Sequence, residues 1–200
     1  RRTFLANLVG VQSDCPAREK FGYGGDLNAT SASFIYNFDM QTFYKKTVYD
    51  WVDAINDSTF VDTAPSIGIR YCGISWESAF LITQYQLYLY YNDQDFIREM
   101  YAFNKKWMNK VALIHPEGIV HTGLSDHESL LPVPVQLIGT LHYLQCARIM
   151  KAFAGIMKDQ GGQIKYDQLA LDLEQKVREA FWEKTIEGPI TRQTLFASLL

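Results

Sequence analysis

The chain has 200 residues, 48% apolar and 20% charged, with a formal net charge of −3 at pH 7. That length and balance fit one globular domain, or part of one, with a sizeable core, and they exclude a disordered segment. Lys45-Lys46 and Lys105-Lys106 are short basic pairs on helical patterns and no cluster of Lys and Arg forms, which excludes a nucleic-acid footprint, and no apolar run reaches membrane-spanning length.

The first stretch of note is Ser13-Asp14-Cys15-Pro16-Ala17-Arg18-Glu19-Lys20-Phe21-Gly22-Tyr23-Gly24-Gly25-Asp26. It has no helical or strand period, so it reads as a loop. Pro16 fixes its own φ, and Gly22, Gly24 and Gly25 open backbone geometries closed to other residues. A turn with solvated charges is the ordinary reading of such a segment.

Helical periodicity begins after it. Residues 29–38 read as a helix without a single charge. Residues 40–56 follow, with Met40, Phe43, Tyr44, Thr47, Val48, Trp51, Val52 and Ile55 on one face against Lys45, Lys46, Asp50 and Asp53. The pair recurs at 76–91, where Glu77 is the sole charge, and at 95–112, which is amphipathic. It recurs again at 135–157 and 164–182, and a further uncharged helix is expected from Thr194. A helix apolar on every side must be covered on every side. The uncharged members are therefore expected as an inner layer and the amphipathic ones as an outer layer. The expected fold is all-α: an incomplete (α/α)6 toroid of alternating inner and outer antiparallel helices. Both ends read as interrupted, with more chain expected on either side.

The linkers 60–75 and 115–128 each lead from an outer to an inner helix. In a toroid they gather at the end that holds the Asp14–Asp26 loop, where carboxylates, Tyr23, Trp76 and histidines would meet. Paired carboxylates beside aromatic rings suit glycoside hydrolysis, in which one acid protonates the leaving oxygen and a second carboxylate activates water. A metal site built on His115, His121, Asp126, His127 and Glu128 matches no known ligand spacing, so no metal is expected. Cys15, Cys72 and Cys146 form neither a disulfide framework nor a zinc signature, and a nucleophilic Cys15 is the weaker alternative. His142 and most of the aromatic residues fall at core spacing, whereas Trp76 suits either the core or a sugar platform.

The pattern Asp14-Cys15-Pro16-x-Arg18-Glu19-Lys20-x-Gly22-Tyr23-x-Gly25-Asp26 resembles the signature of the bacterial α-L-rhamnosidases of glycoside hydrolase family 78. Further likeness lies in Tyr36-Asn37-Phe38-Asp39, Thr63-Ala64-Pro65, Gly73-x-x-Trp76-x-x-Ala79, the Asp126 loop and Gln193-Thr194. The resemblance covers essentially the whole chain. It implies that residues 1–200 are the N-terminal part of an α/α-barrel glycosidase catalytic domain, a fragment of a longer chain. Glu19 then matches the general acid, and Asp14 and Asp26 match carboxylates that hold the sugar hydroxyls and tune that acid. Arg18, Tyr23, Trp76, Glu77, Asp126 and His127 match substrate-binding positions. Tyr23 stands where many members have Trp, His127 stands where a Trp often follows the matching Asp, and Ser78 stands where Asp is common, with Glu77 beside it. The family inverts configuration and needs no organic cofactor. Its general base falls beyond residue 200, so the fragment alone is expected to be inactive on its small-molecule rhamnoside. Another α/α-barrel glycosidase with different sugar specificity and an inactive carbohydrate-binding scaffold are the alternatives.

Overall fold

The computed structural model describes residues 1–55, 61–127 and 132–182. Glu128, the helix expected from Thr194 and the Gln193-Thr194 likeness lie outside them. The described elements are all-α: α1 (Arg2–Asn7), α2 (Gly24–Ile35), α3 (Gln41–Asp53), α4 (Ile74–Glu77), α5 (Ala79–Tyr91), α6 (Gln94–Ile114), α7 (Val135–Ile156) and α8 (Gln160–Val177). A π-turn, Arg178–Trp182, extends α8. Extended pairing among the described residues is confined to two isolated bridges, Leu8 with Gln12 and Tyr23 with Thr63. The chain packs as two compact units. The described residues of Arg1–Cys72 and Trp76–Lys110 form the first, and Gly73–Ser75 with the described residues from Val111 onward form the second.

In the first unit, α2 and α5 run in the same direction. Asn28 Nδ2 donates to Ser78 Oγ at 3.2 Å near their starts, and the Tyr90 hydroxyl meets the Tyr36 hydroxyl at 3.0 Å near their ends. α3 comes back alongside: the Met40 N–H donates to the Tyr91 hydroxyl at 2.8 Å, and Gln41 donates to Asp93 at 2.9 Å. Its far end reaches α6, where the Tyr49 hydroxyl donates to Glu99 at 2.8 Å and the Tyr49 and Phe96 rings meet edge to face. α2 and α5 are thus parallel to each other, and α3 and α6 run antiparallel to them.

Burial follows the same division. α3 buries Tyr44, Thr47, Val48 and Trp51. α6 buries Phe96, Ile97, Met100, Tyr101, Asn104, Trp107 and Met108, while Arg98, Glu99, Lys105 and Lys106 stay exposed. Residues 79–84 of α5 are buried consecutively, a pattern only an uncharged segment tolerates. One expectation needs correction. α2 buries a single face, Gly24, Leu27, Ser31 and Phe34, and leaves Ala29 and Ser33 exposed.

The second unit holds a helical hairpin. Arg148 pairs with Glu174 at 2.9 Å and Lys151 with Asp167 at 2.7 Å, so α7 and α8 are antiparallel. Asp159 caps α8, accepting the Gly162 N–H at 2.8 Å. Val133, Leu137, Val177 and Phe181 form a core cluster covered by Ile138, Leu141 and Ala180. Burial pushes the His142 imidazole down to about 4, as suits a core histidine in an apolar helix.

Candidate active site

Residues 14–22 belong to no helix or strand, and hydrogen bonds hold them in place. Its start is tied to α1 by the Ser13 N–H, which donates to the Asn7 carbonyl at 2.9 Å. Asp14 then closes the loop on itself. Its N–H donates to the Phe21 carbonyl at 3.0 Å, and its Oδ1 accepts the Phe21 N–H at 2.9 Å. The turn this requires places Lys20 at φ +61°, the left-handed region. Asp14 is therefore, in this chain, the clasp of the loop that carries Glu19.

Glu19 sits inside that clasp. Its Oε2 accepts the Tyr23 hydroxyl at 3.0 Å, and its N–H donates to Cys15 Sγ at 3.3 Å. The Arg18 guanidinium stands 3.5 Å from Oε1 with its side chain 84% exposed, against 36% for Glu19. A pair this solvated contributes a few tenths of a kcal/mol at most, on the order expected for surface ion pairs. Burial, and then the hydrogen bond to Glu19, hold the Tyr23 phenol far above its ordinary value, so it stays a donor at any physiological pH. Cys15 serves as a hydrogen-bond acceptor under the Glu19 backbone.

Tyr23 is also where the loop meets the first linker. It bridges Thr63, the Ala64 N–H donates to the Gly22 carbonyl at 3.0 Å, and the Gly24 N–H donates to the Asp62 carbonyl at 3.0 Å. A Cβ on Gly22 would lie 2.3 Å from the Ala64 oxygen, so only glycine lets the two backbones approach this closely. Two of the three loops expected to gather do so here. The third, with Asp126 and His127 both exposed, lies in the second unit.

α2 starts immediately after Tyr23, which occupies the N-cap, so Asp26 falls in the first turn, where a carboxylate is favoured by the helix dipole. Two glycines precede it because Trp76 lies against them. A Cβ on Gly25 would be 2.4 Å from Trp76 Cε2, and one on Gly24 would be 2.1 Å from the Trp76 carbonyl oxygen. A second chain of bonds braces the same turn. The Tyr44 hydroxyl donates to Gln12 Oε1 at 2.7 Å, Gln12 Nε2 donates to Thr30 Oγ1 at 2.6 Å, and Thr30 Oγ1 donates to the Asp26 carbonyl at 2.6 Å.

Glu77 and Ser78, adjacent in sequence, serve different neighbours. Ser78 is fully buried against Asn28 of α2. Glu77 Oε2 accepts the Trp107 indole N–H at 3.1 Å. Burial pushes the Glu77 carboxyl up to about 7; the Trp107 bond opposes this, the Asp62 charge adds to it, and Arg70 opposes it. A carboxyl raised this far by burial marks Glu77 as a candidate for a functional role. Cys72, pushed up to about 12 by burial and by the Asp62 charge and hydrogen bond, is an inert thiol.

The structure therefore joins Glu19, Tyr23 and Arg18 by direct contact, and it sets Trp76 on the glycines that open the Asp26 helix. Sequence reasoning passed over Asp62, Trp107 and Gln12. Asp62 carried a signal, since an acid in an apolar linker beside Thr63-Ala64-Pro65 is a poor solvent residue, and it is 1% exposed. Among the described residues no group of three or more His, Cys, Asp or Glu side chains is placed to hold a metal ion, and no helix is long and apolar enough to cross a membrane.

Comparison with known proteins places this geometry in a family. An alpha-L-rhamnosidase of Formosa agariphila is 32% identical over 137 residues, which are 62% of this chain and 14% of that protein. One from Streptomyces avermitilis is 26% identical over 154 residues, 74% of this chain and 15% of that protein. The chain thus spans about a seventh of the length of these relatives. The solved alpha-L-rhamnosidase of Dictyoglumus thermophilum superposes with a TM-score of 0.81 at 25% identity, over 91% of this chain and 22% of that one. The Streptomyces avermitilis enzyme complexed with L-rhamnose shares the fold, with a TM-score of 0.78 at 22% identity over 90% of this chain and 19% of that one. Residues 1–200 in their entirety match the family described as the bacterial alpha-L-rhamnosidase 6 hairpin glycosidase domain, and the chain belongs to it.

Proposed function

We propose that this chain supplies the acid side of an inverting α-L-rhamnosidase site, which removes terminal α-L-rhamnose from rhamnosides. Glu19 is the general acid, protonating the leaving glycosidic oxygen. Asp14 and Asp26 hold sugar hydroxyls and tune that acid, and Arg18, Tyr23, Trp76, Glu77, Asp126 and His127 contact substrate. The general base is supplied from beyond residue 200, across a gap wide enough for the attacking water.

The observation that carries this reading is the setting of Glu19: a carboxyl 36% exposed, oriented by the Tyr23 hydroxyl, on a loop clasped by Asp14. A general acid needs that combination of access to substrate and fixed direction. Family membership and the alpha-L-rhamnosidase relatives support the choice of sugar.

The test is hydrolysis of a panel of aryl glycosides by the complete enzyme, with release from the α-L-rhamnoside expected and the first-formed product having the inverted anomeric configuration by NMR. Glu19→Gln should cost ~10²-fold or more on rhamnosides with alkyl leaving groups and far less on a nitrophenyl rhamnoside, whose departure needs no proton. Equal losses on both substrates overturn Glu19 as the acid, and preference for another sugar overturns the substrate.

A further inference from the structure

We infer that Asp62 is a positioning residue for the proposed acid Glu19, acting through the Tyr23–Thr63 bridge rather than by touching substrate. The inference rests on the assignment of Glu19 above and extends it to a residue the site reading did not include.

A chain of contacts carries it. Asp62 Oδ2 accepts the Cys72 N–H at 2.7 Å, and the Cys72 thiol donates to the same carboxyl. The Asp62 carbonyl accepts the Gly24 N–H at 3.0 Å, on the residue that begins α2. One residue on, Thr63 bridges Tyr23, and two residues on, the Ala64 N–H reaches the Gly22 carbonyl. Tyr23 then directs Glu19 through its hydroxyl at 3.0 Å.

Residues 62–64 belong to no helix and have no strand neighbour except this bridge. Between them and Cys72, Pro65, Ser66, Ile67, Gly68, Arg70 and Tyr71 are exposed, so the intervening loop does not anchor the segment. The Asp62 side chain does so by closing the loop at its base, with the carboxyl 1% exposed and hydrogen-bonded at both the amide and the thiol of Cys72. A buried acid is retained only where its hydrogen bonds are made, so removing its acceptor capacity releases the segment. The segment pairs with Tyr23 through its backbone, and Tyr23 in turn sets the Glu19 carboxyl. Small displacements of a proton donor are costly to catalysis because the transferred proton must be within hydrogen-bond reach.

The experiment compares Asp62→Asn with Glu19→Gln in the complete enzyme, on an alkyl and a nitrophenyl α-L-rhamnoside. Asp62→Asn keeps an oxygen for the Cys72 N–H and loses the acceptor for the thiol. A positioning role predicts a loss of kcat roughly tenfold larger on the alkyl than on the nitrophenyl rhamnoside, the same direction as Glu19→Gln but smaller. A merely structural role lowers the amount of active enzyme and scales both substrates equally, which overturns the inference. If Glu19→Gln itself shows no leaving-group dependence, the acid assignment fails and this inference falls with it. If only Asp62→Asn lacks it, the acid assignment stands and the inference alone fails.

Should Asp62→Asn not fold, Gly22→Ala decides the matter. It leaves Asp62 and Glu19 intact, and its Cβ, 2.3 Å from the Ala64 oxygen, pushes the linker off Tyr23. The same leaving-group split is expected, and equal loss on both substrates again overturns the inference.

Discussion

The Trp107 indole N–H donates to Glu77 Oε2 across 3.1 Å, joining a carboxyl raised to about 7 to the outer helix α6. Raised acids favour the protonated state in the fold. Between the ordinary 4.5 and about 7, the folded chain binds more protons than the unfolded one. Stability therefore falls as pH rises through that window and is greatest below it. At about 1.4 kcal/mol per pH unit, the ceiling is roughly 3 kcal/mol. Urea unfolding at pH 5 and pH 8 should show this decline, and Glu77→Gln, which cannot ionise, should flatten it. An unchanged slope in the variant would place the titrating group elsewhere.

Gly25→Ala tests the seat of Trp76. Alanine is the better helix former, so an open site would gain ~0.5–1 kcal/mol. Here the added Cβ lies 2.4 Å from the indole, and overpacking of this kind costs about 1–3 kcal/mol. The expected result is a lower thermal midpoint, with a change in tryptophan fluorescence as the ring is displaced.

Tyr23→Phe keeps the ring and removes the hydroxyl that directs Glu19. Glu19 is partly solvated and regains its hydrogen bond from water, so stability should change by about 1 kcal/mol or less. Turnover of alkyl rhamnosides by the complete enzyme should nevertheless fall more than turnover of nitrophenyl rhamnosides, because the acid loses its fixed direction. Equal activity on both would mean that Tyr23 does not orient the acid.

Gln84 and Asn104 are each fully buried and exchange two amide hydrogen bonds between α5 and α6, at 3.0 and 2.7 Å. Replacing Asn104 by Leu leaves the Gln84 Oε1 without its donor, while Nε2 keeps the Phe80 carbonyl at 3.0 Å, and should cost about 1–3 kcal/mol beyond the packing change. Converting both to Leu or Met should cost much less than the sum of the single changes. A double-mutant cycle by denaturant unfolding measures the coupling; additive losses would show that the pair contributes nothing as a pair.

How far these features could be read in advance depends on whether periodicity or pairing creates them. Long periodic or apolar elements were legible: residues 40–56 anticipated α3 at Gln41–Asp53, and residues 135–157 anticipated α7 at Val135–Ile156. Boundaries failed where local chemistry overrode the pattern. α2 begins at Gly24, well before the apolar run, because its two glycines accommodate Trp76. The 76–91 helix divides at Ser78, and α8 begins at Gln160, where Asp159 caps a Gly-Gly pair usually read as a breaker. α1 escaped notice, being six residues without an amphipathic period.

Of the candidate site, the Asp14–Asp26 loop stood out by composition. What holds it did not, because Asp62 with Cys72 and Tyr44 with Gln12 are long-range pairings within unremarkable stretches. Trp107 was visible as an apolar position on α6, but its indole N–H bond to Glu77 had no sequence signature.

The bridge between Tyr23 and Thr63 also bears on how this motif can be moved or redesigned. Its recognisable residues end at Asp26, yet their framework includes a segment about forty positions downstream. Grafting residues 13–26 alone into another helical scaffold would transfer the side chains without the backbone that aligns them. A graft that brings 62–64 and Cys72 with it carries the contacts that align the motif, and libraries that vary the motif should keep those four positions constant.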